Sequence, residues 1–209
     1  MDQPNRGFWS HLRPAYVSRP AARITYTFCL GGLAFLSFII LAGTGVLLLF
    51  HYLPGPSGSF ASVTEITSVV PFGRLFRSIH FWAGQAMVIL VFLHMGRVFY
   101  TGSYRPPREL NWIIGVGLLV LTVALDFGGY LLRGNQETLS ASAVAANLVL
   151  SIPGPGPALA RIFFGETGPG IGVSLNAYVW HSFGLPLGLG LLAAWHFWKI
   201  RRDGFSRPL

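Results

Sequence analysis

Apolar residues gather into four long blocks, and polar residues, glycines and prolines fill the gaps between them. The blocks run from about Ile24 to Tyr52, from Arg77 to Tyr100, from Leu110 to Leu132 and from Leu175 to Ile200. Each is long enough to cross hydrocarbon as a helix, which takes roughly 20 residues. The first closes at Leu53-Pro54-Gly55-Pro56, and the third carries one acid, Asp126. The stretch between the third and fourth blocks holds two helix-like pieces, about Ser140–Ser151 and Gly156–Phe164, broken at Pro153. It is too polar and interrupted to span, which places it as short helices on one membrane surface. The pattern predicts an all-α membrane protein: an N-terminal surface segment over residues 1–23, forming a surface helix, then a bundle of four transmembrane helices over 24–209.

Composition agrees. Apolar residues make up 52% of the chain, charged residues 11%, and mean hydropathy is +0.55, too little polarity for the surface of a soluble domain. The formal charge of +8 would suit nucleic acid if it were gathered into a patch. The basic residues instead flank the apolar blocks, which is a topology signal and not a nucleic-acid footprint. An even number of spans puts both termini on one side, with the loop between spans two and three. That side collects Arg6, Arg13, Arg19, Arg23, Arg97, Arg105, Arg108, Lys199, Arg201, Arg202 and Arg207. Arg74, Arg77, Arg133 and Arg161 lie on the other. Both termini are therefore expected on the negative, cytoplasm-like side. A single cysteine, Cys29, excludes an intrachain disulfide framework. The N-terminus does not have the pattern of a cleaved signal peptide.

Four of the six histidines fall in pairs inside apolar blocks, His80 with His94 and His181 with His196. On a helix, 14 steps make four turns less roughly 40°, and 15 steps make four turns plus roughly 60°. Each pair thus lies near one helix face, separated by about 21–22 Å along the axis. Spans two and four run in the same direction, so His80 should face His181 near the positive side and His94 should face His196 near the negative side. Zinc suits these pairs poorly, because its sites gather three or four ligands. A haem with two axial histidines suits each pair and has no open position for oxygen, which points to electron transfer.

Glycines repeat the same interval. Gly31 and Gly45 are 14 apart on span one, as are Gly115 and Gly129 on span three. Small residues also serve ordinary helix packing in membranes, but the shared interval suggests backbone approaching two stacked macrocycles. Arg77 precedes His80 by three residues and Arg97 follows His94 by three. With Ser103, Trp112 and Arg201 near the negative side, they are candidate donors to haem propionates, and the arginines also suit interfacial anchoring. Cys29, close in depth to His94 and His196, reads on its own as a small hydrophobe. No Cys-x-x-Cys-His motif is present, so ordinary two-thioether haem attachment is excluded.

These residues resemble the cytochrome b/b6 family of quinol oxidoreductases. The likeness runs from about Ile24 to Leu209 and rests on "RSIHFWAGQAMVILVFLHMGRVFYTGSYRPPRELNW", Gly129-Tyr130, "IPGPG" and "WHSFGLPLGLGLLAAWHF". The 15-residue step from His181 to His196, the ending "KIRRDGFSRPL" and four spans instead of eight are similar to the short cytochrome b6 type. "TFCLGG" resembles the b6 segment whose cysteine carries an extra c-type haem on one thioether, beside a quinone pocket. The resemblance implies two b haems, on His80/His181 and His94/His196, and a covalent c-type haem at Cys29.

It also implies a dimeric complex oxidising quinol in lipid. Its partners would be a Rieske iron–sulfur protein, a c-type cytochrome and a subunit-IV-like or C-terminal cytochrome b chain carrying Pro-Glu-Trp-Tyr. Two departures stand out. Arg133-Gly134 replaces the family's Pro-Trp beside the positive-side quinol pocket, and Pro14 stands near an expected acid. The first keeps an alternative in play: a dihaem membrane anchor linking a peripheral dehydrogenase or reductase to the quinone pool.

Overall fold

The computed structural model describes residues 28–55, 58–165 and 175–203, which form seven helices and no strand. In chain order they are α1 (Leu30–Leu49), α2 (Gly58–Ser68), α3 (Gly73–Tyr100), α4 (Glu109–Leu131), α5 (Gln136–Leu150), α6 (Gly156–Phe164) and α7 (Leu175–Asp203). Helices α1, α3, α4 and α7 are the four predicted spans, each long and apolar enough to cross a membrane. The N-terminal segment 1–23 lies outside the described residues. The two pieces expected between spans three and four are α5 and α6. Sequence reading gave no element between Pro56 and Arg77, where α2 and the first turn of α3 are found.

Burial is inverted relative to a soluble fold. Trp82 is 68% exposed and Leu191 65%, whereas the packed positions are largely small: Ala34, Ser37, Thr44, Thr122, Ala177 and Ala193. Lipid supplies no drive for helix association, so close approach over small residues must hold the bundle together. Buried hydroxyls are satisfied within their own helices: Ser37 donates to the Leu33 carbonyl at 3.0 Å and Thr122 to that of Leu118 at 2.8 Å. Packing runs chiefly between α1 and α3 and between α4 and α7, with α3 against α4 joining the two pairs. The chain is an integral membrane protein.

Two local devices shape the bundle. The turn after α4 uses Gly134 at φ +65°, and a Cβ there would come within 2.7 Å of Ser59 Cβ on α2. Both the left-handed backbone and the contact therefore require glycine. Asn135 then caps α5, its side chain accepting from the Thr138 amide at 3.1 Å. In α7 the hydrogen bonding widens to a π turn at Trp180–Gly184, closed by the Leu185 amide on the Trp180 carbonyl. Pro186 follows directly and has no N–H for the regular ladder, which accounts for the wide turn there.

A tyrosine cluster ties one end of the bundle together, and that end is here called the Tyr52 end. The Tyr52 hydroxyl donates to the Leu132 carbonyl at 2.9 Å, and its ring stacks on Tyr178 at 5.4 Å. One side chain just beyond α1 thereby reaches both α4's end and α7. Burial pushes the Tyr52 phenol up to about 12, so it stays a protonated donor. The opposite end carries Cys29.

Candidate cofactor-binding site

The four histidines on α3 and α7 each meet a glycine of the neighbouring helix. A Cβ on Gly45 would lie 3.3 Å from His80 Cε1, and one on Gly31 would lie 3.2 Å from His94 Cε1. On the other pair, a Cβ on Gly129 would lie 2.8 Å from His181 Cε1 and one on Gly115 would lie 3.6 Å from His196 Cε1. The shared 14-residue interval thus reflects a register in which α1 supplies glycines to α3, and α4 to α7. Room at the glycines is taken by the edges of the imidazoles.

The rings are oriented by their Nδ1 atoms. His181 Nδ1 lies 3.0 Å from the Leu125 carbonyl of α4, which can only accept, so Nδ1 carries the proton. His80 Nδ1 lies 2.9 Å from Thr44 Oγ1, whose own proton goes to the Ile40 carbonyl at 2.7 Å, so here too Nδ1 donates. Both rings are therefore the tautomer whose Nε2 keeps a lone pair, the form a metal takes up. The His80 and His181 ring centroids are 6.2 Å apart at an interplanar angle of 71°. Two imidazoles on opposite faces of one metal, at about 2 Å per nitrogen, would have centres roughly 6 Å apart, so this pair fits a shared metal. His94 and His196 lie within electrostatic reach of each other. His196 Nδ1 is buried beside the Asn111 backbone without a well-formed hydrogen bond.

Two nitrogens do not complete a zinc site. Among the described residues, no three His, Cys, Asp or Glu side chains gather as a ligand set. A pair of opposed imidazoles suits a metal whose other positions are filled by a macrocycle, as in haem.

The profile of the Cytochrome b/b6/petB family matches residues 16–204. The chain belongs to the cytochrome b/b6 family. Cytochrome b6 of Heliobacterium modesticaldum is 44% identical over 191 residues, covering 91% of this chain and 89% of that protein. Cytochrome b6 of Synechocystis is 38% identical over 182 residues, covering 87% and 82%. Among solved structures, a chain of a hyperthermophilic respiratory Complex III superposes with a TM-score of 0.75 at 27% identity. The match covers 87% of this chain and 49% of that one, so this chain spans about half its length. Membership of a cytochrome family implies haem binding.

The other residues singled out in the sequence sort by end. Arg97 lies in the last turn of α3 and Arg201 in the last turn of α7. Between α3 and α4, Ser103 Oγ lies 2.7 Å from Thr101 Oγ1. Trp112 packs on Tyr104 at 5.7 Å, and Tyr104 stacks on Phe99 at 5.7 Å. All four are at the Cys29 end. Cys29 itself is exposed at the head of α1 with φ 51°, two residues before the glycine that meets His94. Arg77 lies at the Tyr52 end, one turn before His80.

Thr44 and Leu125 escaped sequence reading, although a hydroxyl directly beside Gly45 in an apolar block was a usable signal. Asp126 accepts from Gln85 Nε2 at 3.0 Å, an exposed hydrogen bond that links α4 to α3.

The glycine distances predict a ranked series. Gly129→Ala should displace His181 and lower haem retained per chain severalfold, whereas Gly115→Ala, an ordinary contact, should leave it nearly unchanged. Absorbance per chain after purification checks the order, and equal losses would contradict it. Thr44→Val should leave His80 Nδ1–H unpaired, at a cost of about 1–3 kcal/mol. Losing the hydrogen bond that orients a ligating imidazole weakens metal-site affinity roughly 10–100-fold, so one spectral component should fade while the other persists.

Proposed function

We propose that this chain is the b6-type electron-transfer subunit of a Rieske/cytochrome b quinol oxidoreductase. The opposed His80 and His181 rings, with both Nε2 lone pairs free, carry the reading. His94 and His196, within electrostatic reach of each other, would hold the second haem at the other depth. Held between the two histidines of each pair, haem would supply one-electron chemistry.

The chain's own residues then have definite tasks. Thr44 and Leu125 hold the imidazole tautomers, the four glycines set how near each ring approaches the next helix, and the apolar walls exclude water. Arg77 at one end, with Arg97, Ser103, Trp112 and Arg201 at the other, offers donors to carboxylates. Cys29 would hold a third, c-type haem through a single thioether. The arginine distribution orients the Cys29 end and both termini to the negative side, so electrons from quinol would cross from the Tyr52 end towards the Cys29 end and a quinone there. Relatives named cytochrome b6 and a neighbour from a respiratory Complex III support the same class.

Partners on this reading are a Rieske protein, a c-type cytochrome and a chain supplying the C-terminal portion of cytochrome b, in a dimeric complex. The Arg133-Gly134 turn favours one other reading, a dihaem anchor for a peripheral dehydrogenase or reductase. Co-purification separates the two, since a molybdenum or hydrogenase subunit would indicate the anchor.

Pyridine haemochrome analysis of the purified chain should give two b haems and one c-type haem that survives acid-acetone extraction. Fewer than two b haems would refute the proposal. His80→Ala and His181→Ala should remove one component in a redox titration, and His94→Ala and His196→Ala the other. Loss of the same component from His80→Ala and His196→Ala would show the pairing to be wrong.

Cys29→Ser separates a thioether anchor from a packing residue. It should abolish haem staining on a denaturing gel while both b haems remain, because a thioether survives denaturation and axial ligation does not. A wild-type chain with no covalent haem would return Cys29 to packing, where the same change costs on the order of 1 kcal/mol.

A further inference from the structure

At the Tyr52 end, a surface recess of about 280 Å³ lies between α2, α3 and the turn after α4. Thr64, Thr67 and Ser68 line it from α2, Arg77 from α3, and Arg133 and Asn135 from the turn; no acidic residue lines it. The three hydroxyls each give their proton to a carbonyl of their own helix, at 2.7–2.9 Å. Asn135 spends its side-chain oxygen on the Thr138 amide, so the donor half of that amide is left for a ligand. Arg133 lies over the Tyr130 ring at 5.6 Å, and neither it nor Arg77 makes an ion pair with a described carboxylate. Two guanidinium groups sharing a recess at a membrane surface repel each other unless an anion lies between them. Their planar forks match the paired oxygens of a carboxylate or phosphate.

We propose that Arg77 and Arg133 together hold one oxyanion in this recess, with Arg133 adding a second cation to the pocket that serves His80. Arg77 precedes His80 by three residues on one helix face, so the recess adjoins whatever His80 holds. The oxyanion has two possible sources, a haem propionate or the phosphate of a membrane lipid. The proposal rests on haem ligation at His80/His181 only for the first source.

Redox titration and phosphorus content of the purified wild-type complex, Arg133→Gln and Arg133→Lys test it. Arg133 is exposed, so Arg133→Gln gives up only its contact over the Tyr130 ring and no buried packing. For a propionate, Arg133→Gln should shift one haem component to lower potential and leave the other in place, because the reduced form loses a neighbouring cation. Arg133→Lys should recover part of that shift. For a lipid, Arg133→Gln should lose about one phosphate per chain with both potentials unmoved. Thr67→Glu, which brings a carboxylate into the recess from α2, should reproduce whichever change Arg133→Gln produces. Variants matching the wild type in both potentials and phosphorus would overturn the proposal. A wild type lacking the His80/His181 component would refute the haem reading instead, and the phosphorus measurement would still decide the recess.

Discussion

An imidazole buried in hydrocarbon must hand its Nδ1 proton to an acceptor, and in this bundle the acceptors at one level belong to neighbouring helices. His80 on α3 gives its proton to Thr44 on α1, and His181 on α7 gives its proton to the Leu125 carbonyl on α4. Each bond crosses one helix pair, and the two rings then meet across the pairs with centroids 6.2 Å apart and planes at 71°. Two hydrogen bonds and one ring contact therefore place four helices. An unpaired buried N–H costs enough to make the register of α1 on α3, and of α4 on α7, specific in an otherwise apolar fold.

Close approach follows from the same register. With little large apolar side chain buried between helices, the bundle depends on glycine, alanine and hydroxyl residues that let backbones near one another. The four site glycines are the points where a ring edge replaces a side chain. Their tolerances differ, from a 2.8 Å approach at Gly129 to ordinary contact at Gly115, so the two levels are not equally tight. The levels also differ in support, because His196 Nδ1 lacks the well-formed hydrogen bond that His80 and His181 have.

The Tyr52 end shows how a departure from the family pattern is absorbed. Where a Pro-Trp pair would be expected, Gly134 takes a left-handed turn and makes room for Ser59 of α2. Arg133 is then left facing a polar recess with Arg77. Tyr52 holds the same corner by bonding to Leu132 and stacking on Tyr178. A change of two residues thus alters the charge of the surface while the helix ends remain tied.

The apolar blocks, the arginine bias and the two histidine pairs were legible in the chain itself. Span length, topology and helical periodicity are local properties of sequence, and so was the 14-residue repeat of the glycines. What those glycines touch was not legible, because helix spacing says which residues share a face and leaves open which face meets which neighbour. Nor could the sequence reconcile 14 steps on α3 with 15 on α7, about 100° apart on regular helices. The π turn at Trp180–Gly184 takes up one residue and brings His181 and His196 back towards the register of His80 and His94. Pro186 was its visible trace. Helix α2 was missed because its short, serine- and threonine-rich run has weak helical periodicity of its own, and it forms where α3 and the Gly134 turn give it something to pack on. The histidines were set by sequence; their tautomers, partners and facing were decided only once four helices shared one low-dielectric interior.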